Sequence, residues 1–280
     1  TVKLDDQYSY ILQNVSDTDF LRGYLREEKD VYNRPTGNIE FVVAQGGDWL
    51  VHKDGLPDAS HEGLYVLGID DFAKDLQAKD ITKKHSKGAI VVYRKNTLRD
   101  IGVPCDMPVA IYEKRPTSVD AFHDQCIMAM RYWDGLTNYE YNDDRFLKKA
   151  REAGLFNKMI YWDDKGLGPS DKPGMNVKEQ AIALMTQAQT DYLKQDRHKN
   201  IQFGRIIEGI KKWQTLNDDV ASAWHLVLAA LEREPKQEES RQRQNAYQPV
   251  IRFGADPQAQ QQVGGNLGIR QVFQFGRKVA

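Results

Sequence analysis

The stretch Gly63 to Asp71, GLYVLGIDD, constrains this chain more than any other. Leu64, Tyr65, Val66, Leu67 and Ile69 make an apolar run about as long as one buried strand. The run stops abruptly at two carboxylates, Asp70 and Asp71. A central strand of this kind needs neighbours on both sides, and the sequence after it supplies them in a regular order.

Lys74 to Lys87 is a charged, turn-rich segment with Lys74, Lys79, Lys83, Lys84, Lys87 and His85. Ala89–Tyr93 (AIVVY) reads as a second strand, and Val109–Tyr112, after Pro108, as a third. Ser118 is an N-cap with Asp120 in the first turn of a helix. The apolar side of that helix is Val119, Phe122, Cys126, Ala129, Met130 and Trp133, and Gly135 closes it. Thr137–Tyr141 follows as a fourth strand, Asp143 to Gly154 as a second helix, and Lys158–Trp162 as a fifth strand. After a loop over Asp163–Gly174, Asn176 caps a long helix, a shorter one spans Phe203–Trp213, and the last begins at Asp218-Asp219. Three adjacent strands followed by strand–helix–strand–helix units predict an α/β fold, a mixed sheet flanked by helices.

The flanks are less regular. Residues 1–62 read as a lead-in or linker subdomain, with helical pieces over Tyr8–Tyr32 and a hairpin over Asn38–His52 around Gly46-Gly47. Residues 63–232 hold the regular α/β pattern. Residues 233–280 are a tail rich in Gln, Arg, Gly and Pro, without strand or helix periodicity until Val272–Phe275. With 39 basic and 40 acidic side chains the net charge is −1, so global charge gives no attraction to nucleic acid and any contact needs a local basic patch. Two cysteines, Cys105 and Cys126, make neither a disulfide framework nor a zinc motif. No apolar run approaches the ~20 residues of a membrane span, and the N-terminus has no secretory pattern, so a cytosolic setting is expected.

Acidic residues fall at matching places in this layout. Asp70 ends the first strand, Glu140 lies in the fourth, and Asp218 and Asp219 open the last helix. The first and fourth strands are expected to be neighbours, so Asp70 and Glu140 can face each other, with the helix start aimed at the same spot. Carboxylates gathered without a local lysine or arginine repel one another, and a hard divalent cation relieves that repulsion. Plainer roles compete. A strand-end Asp is often a turn residue, and Asn217-Asp218-Asp219 is ordinary helix-capping chemistry. Glu140, set between Tyr139 and Tyr141, is harder to explain without a partner.

The ordered set LYVLGIDDFAK, GAIVVYRK, MPVAIYEKRPTSVDAFHDQCIMAMRYW, TNYEYND and NDDVASAWHLVLAAL resembles the C-terminal nuclease domain of the large terminase subunits of tailed bacteriophages. The resemblance covers about Gly63 to Leu231, includes PGMNVKEQAIALMTQAQTDYL and RIIEGIKKWQ, and implies the RNase H-like fold shared with RuvC-type resolvases. It also implies that Asp70, Glu140 and Asp219 are catalytic and hold two Mg²⁺ or Mn²⁺ ions, with Asp218 as an adjacent, water-mediated ligand. Ser222 stands where RuvC-type relatives often carry a further carboxylate, which weakens the second metal position. His225 could face the site or be structural, and the structural role is the commoner one for a histidine on a helix face.

The expected activity is hydrolysis of phosphodiester bonds in concatemeric viral double-stranded DNA during packaging, by water activated between ions about 4 Å apart. Lys74, Lys79, Lys83, Lys84 and Lys87 are candidates to hold DNA phosphates, with Lys114 and Arg115 as weaker ones. Little sequence preference is expected, because no base-reading element is visible. A packaging subunit would also carry an ATPase half with GxxxxGK[ST]; no such motif occurs here, which suggests a nuclease half separated from its motor. The implied partners are that ATPase domain, the small terminase subunit and the portal protein, in the host cytoplasm. The rivals are a Holliday-junction resolvase or related recombination nuclease, and a non-enzymatic phage assembly protein whose acids are caps and turns.

Overall fold

The computed structural model describes residues 19–57, 63–72, 86–96, 105–195, 197–213, 218–231, 233 and 250–253. Strands β1 (Phe20–Lys29), β2 (Pro35–Val43) and β3 (Trp49–His52) precede β4 (Tyr65–Asp70), β5 (Gly88–Arg94) and β6 (Met107–Lys114). Helix α1 (Val119–Trp133), strand β7 (Leu136–Tyr139), and helices α2 (Arg145–Glu152), α3 (Glu179–Lys194), α4 (Gly204–Lys212) and α5 (Asp219–Ala230) follow, then β8 (Val250–Phe253). Among the described residues the strands form one sheet in the order β7-β4-β5-β6-β3-β1-β2-β8. β4, β5 and β6 run antiparallel to one another, whereas β7 lies parallel to β4 on its other side. This is the expected α/β mixed sheet flanked by helices, with the first and fourth strands of the regular region side by side.

Alternation along the central strands assigns each side chain to one of two cores. Tyr65, Leu67 and Ile69 of β4, with Ile90 and Val92 of β5, pack with α1 residues Phe122, Cys126, Met130 and Trp133. Val66 of β4 and Ala89, Val91 and Tyr93 of β5 point the other way, into a core with Val220, Ala223, Trp224 and Val227 of α5. Every residue of β4 and β5 is buried, because helices cover both faces. Gly68 lets α5 lie directly on β4. A Cβ there would run into the carbonyl oxygen of Ala223 and the side chain of Val227.

Residues 20–52 differ from the expected helical pieces and hairpin. Phe20–Lys29 is a strand, and in its middle Gly23 and Leu25 are buried while Arg22, Tyr24 and Arg26 are exposed, the two-residue period of a half-buried sheet. The helical expectation came from Phe20, Leu21 and Tyr24, whose spacing fits one face of a helix, and pairing with the neighbouring strands overrides it. The runs around Gly46-Gly47 are both strands but do not pair with each other. β1 lies between them, antiparallel to both, and β3 joins β6. The segment expected as a lead-in therefore continues the same sheet, and Trp49 and Val51 belong to the same core as β4 and α1.

Smaller differences concern element ends. Ser118 caps α1 as expected, its hydroxyl accepting from the Ala121 N–H at 3.2 Å, but the left-handed residue at the other end is Asp134 rather than Gly135. α3 begins at Glu179 with Lys178 at its N-cap, and Asn176 does not cap it. The fifth strand contracts to isolated bridges, Thr137 with Met159 and Tyr161 with Pro173. In the tail, β8 pairs in parallel with β2, a four-residue strand too short to leave a periodic signal. Among the described residues no helix is long and apolar enough to cross a membrane.

Candidate active site

The alternation just described decides where the acids point. Asp70 has the parity of Val66 and Gly68, so it faces α5. In the parallel pairing of β4 with β7, Gly68 sits beside Asn138 and Ile69 beside Tyr139, and the Glu140 N–H donates to the Ile69 carbonyl at 2.9 Å. The next step along each strand sets Asp70 beside Glu140. Asn138, on the same face, donates from Nδ2 to the Leu226 carbonyl of α5 at 2.8 Å and accepts from Trp162 Nε1 at 2.9 Å. Asp70 and Glu140 thus share the α5 face at the ends of two neighbouring strands.

Their side chains are hydrogen-bonded to each other, and Asp70 is buried. Burial pushes the Asp70 carboxyl well above the usual carboxylate range; the bond to Glu140 and the charges of Glu140, Asp219 and Asp71 push it further. Glu140 is also raised, by burial first, against the opposing effect of its bond to Asp70, and then by Asp71 and Asp219. The pair retains a proton that isolated carboxyls would have lost.

Asp219 completes the expected trio from the helix side, within electrostatic reach of the other two. Its carboxylate accepts from the Ser86 hydroxyl at 2.6 Å and from the Lys87 backbone N–H at 3.0 Å, at the start of β5. Asp218 takes a different course. It caps α5 by accepting from the Ala221 N–H at 2.9 Å, and it accepts from Arg205 Nη1 at 2.9 and 3.1 Å. Arg205 neutralises Asp218.

All the donors at Asp70, Glu140 and Asp219 are carboxylate oxygens, which fit a hard divalent ion such as Mg²⁺ or Mn²⁺. The mutual repulsion and burial of the first two are the strain such an ion relieves. No three His, Cys, Asp or Glu side chains among the described residues form a closed ligand set.

Asp71, the second carboxylate at the end of the β4 run, points to the opposite face. Its Oδ2 accepts from His123 Nε2 of α1 at 2.9 Å, and both side chains are buried. Asn142 Nδ2 donates to the Asp71 carbonyl at 3.0 Å, tying the residues after β7 to the end of β4. His123 carried a weak signal, one polar residue among the apolar positions of α1, and its partner could not be read from spacing.

Of the lysines expected to hold DNA, Lys74, Lys79, Lys83 and Lys84 lie outside the described residues. Lys87 is described, and its Nζ donates to Glu113 Oε1 at 3.0 Å. Lys114 is paired with Asp48 at 2.7 Å. Arg115 stacks over the Phe72 ring at 3.8 Å and donates to the Ser86 carbonyl at 2.6 Å, so it bridges the end of β4 and the approach to β5. His225 is structural: it is buried, donates from Nδ1 to the Ala221 carbonyl at 2.5 Å and stacks on Trp213 with centroids 3.6 Å apart. Tyr139 and Trp224 are core residues, and Tyr141 is partly buried with its hydroxyl on Asp144 at 2.8 Å.

No protein-family model and no curated protein matches the chain. Solved structures similar to it include the large terminase nuclease from thermophilic phage G20c with bound magnesium, at 9% identity and TM-score 0.45, covering 66% of this chain and 89% of that one. The same nuclease with bound zinc is 10% identical at TM-score 0.43, covering 66% and 88%. With bound cobalt it is 9% identical at TM-score 0.44, covering 66% and 89%. The likeness is distant, and the chemistry of this chain rests on its own residues.

Proposed function

We propose that this chain is a divalent-metal-dependent DNA endonuclease that hydrolyses phosphodiester bonds of double-stranded DNA during viral genome packaging. One observation carries the reading: Asp70 and Glu140, two acids without a basic partner among the described residues, are brought together by register on the face covered by the helix that begins at Asp219. Burying like charges side by side costs stability and has no structural use here, since neither caps a helix nor closes a turn.

Asp70 and Glu140 would hold Mg²⁺ or Mn²⁺, and Asp219 would join them by exchanging its bonds to Ser86 and Lys87. A bound ion would supply charge neutralisation and a water acidic enough to attack phosphorus near neutral pH. The residues do the rest. Asp70 and Glu140 give up their shared proton, the two cores on either side of β4 hold their backbones rigid, and Gly68 keeps the Asp219 helix close. Lys87, with the lysines of 74–84, would offer positive charge to DNA phosphates, which needs no base reading and gives little sequence preference. Docking to an ATPase domain of the same subunit, to the small terminase subunit and to the portal protein, in the host cytoplasm, belongs to the same proposal.

The test is plasmid cleavage in Mn²⁺ or Mg²⁺ by the wild type, Asp70→Asn, Glu140→Gln and Asp219→Asn. Cleavage by the wild type and its loss, by about 100-fold or more, in the first two variants is expected. Equal cutting by all four sinks the assignment. No cutting and no bound Mn²⁺ favours a non-enzymatic assembly role. A strong preference for four-way junctions over linear duplex favours a resolvase.

A further inference from the structure

Asp219 belongs to a closed ring of contacts that none of the expected site residues explains by itself. The Lys87 backbone N–H donates to Asp219, and the Lys87 side chain reaches Glu113 of β6 at 3.0 Å. Both Glu113 oxygens accept from Arg205 of α4, Nε to Oε2 at 2.8 Å and Nη2 to Oε1 at 2.9 Å, a bidentate pairing. The remaining arm of Arg205, Nη1, grips Asp218, which is covalently next to Asp219 and caps the same helix. The circuit therefore runs from Asp219 through Lys87, Glu113, Arg205 and Asp218 and back to Asp219. Its members come from the start of β5, the end of β6, α4 and the N-terminus of α5, so it ties together four segments distant in sequence.

We propose that Arg205 and Glu113 are positioning residues for Asp219, fixing the N-terminus of α5 and the Ser86–Lys87 segment at one separation so that the third carboxylate is held opposite Asp70 and Glu140. Arg205 suits this because its planar fork reaches two carboxylates in fixed directions, which a lysine cannot reproduce. Arg205 has side-chain exposure of 26%, Glu113 18% and Asp218 8%, so the links are partly shielded from solvent. Burial alone would raise the Glu113 carboxyl, but Arg205 and Lys87 outweigh it and keep it below its ordinary value, ionised and able to hold both. The ring also gives Asp218 a role its position next to Asp219 obscured. It is the anchor, and Asp219 is the residue being placed.

This inference rests on the nuclease reading, so two readouts are needed. The first is the Mn²⁺ dissociation constant of the full chain, by titration. The second is exchange protection of the Lys87 amide in metal-free protein, by NMR, which needs no metal and no activity. The variants are Arg205→Lys, Glu113→Gln and, as a control at an exposed ion pair with Asp30, Arg34→Lys. Arg205→Lys and Glu113→Gln are expected to weaken Mn²⁺ binding about 10-fold or more and to speed Lys87 exchange, with no change in the control. Adding either substitution to Asp219→Asn should weaken Mn²⁺ little further, because the effect passes through Asp219. Wild-type affinity and wild-type Lys87 protection in both variants would overturn the proposal, as would full additivity with Asp219→Asn. If the wild type binds no Mn²⁺, or Asp70→Asn binds it as tightly, the nuclease reading fails. The Lys87 amide then still decides whether the ring positions Asp219.

Discussion

Asp70 and Glu140 sit side by side across the parallel β4–β7 seam with a hydrogen bond between their carboxyls, on the sheet face covered by α5. Neighbouring acids in a covered setting are a local instability that the rest of the fold tolerates. The consequences below separate stability from activity.

Neutralising Asp70 should make the protein more stable and less active. Asp70→Asn replaces an acid whose ionisation burial and three neighbouring acids oppose. Calorimetry at neutral pH without metal should give a higher Tm, by about 2–4 °C for each kcal/mol regained. A lower Tm would mean that the pair is not strained.

Asn138 is the strut that fixes α5 over β7. Asn138→Ala leaves the buried Trp162 indole N–H without its partner and removes the second bond of the Leu226 carbonyl, which keeps the one within its own helix. Denaturant unfolding should show a loss of about 1–3 kcal/mol, the desolvation penalty of the orphaned indole. A loss below ~1 kcal/mol would show that water or local relaxation replaces it.

Gly68→Ala should act on stability and on the site together. The new methyl group meets the Ala223 carbonyl and Val227, so α5 must move off β4 and carry Asp219 with it. A stability loss of about 1–3 kcal/mol, together with weaker Mn²⁺ binding, is expected. Stability loss with unchanged affinity would show that Asp219 is not needed for the ion.

The pH dependence of stability has a contribution from His225. Burial lowers its pKa from 6.5 to about 4, outweighing the bond to Ala221. Below 6.5 the unfolded chain takes up a proton that the folded protein refuses, so the contribution is complete above that pH and is lost as pH falls toward 4. His225→Phe keeps a ring against Trp213 and does not titrate. The wild type should lose up to roughly 3 kcal/mol relative to that variant between pH 6.5 and 4, measured by denaturant unfolding at a series of pH values. Parallel profiles would exclude a buried neutral imidazole.

The sequence by itself determined the central strands, the capped helix after them and the adjacency of β4 and β7. These follow from unbroken apolar runs, the Ser118 cap with its three-and-four spacing, and the order of strands and helices along the chain. The layout brought out Asp70, Glu140 and the Asp218-Asp219 pair, and the resemblance to terminase nuclease domains implied Asp219 as the third ligand. In Phe20–Lys29 the spacing of the apolar residues pointed to a helix, and pairing with β2 and β3 made the segment a strand.

Tertiary structure decided what each acid does. Consecutive strand residues face opposite ways, but which face receives α5 and which α1 depends on packing between elements far apart in sequence. That choice sends Asp70 toward Asp219 and Asp71 to His123. It also brings Arg205 to Asp218, leaving Asp219 as the carboxylate turned to the start of β5. A carboxylate's chemistry is set by its nearest charges and its access to water, and in this chain those come from segments that spacing alone does not connect.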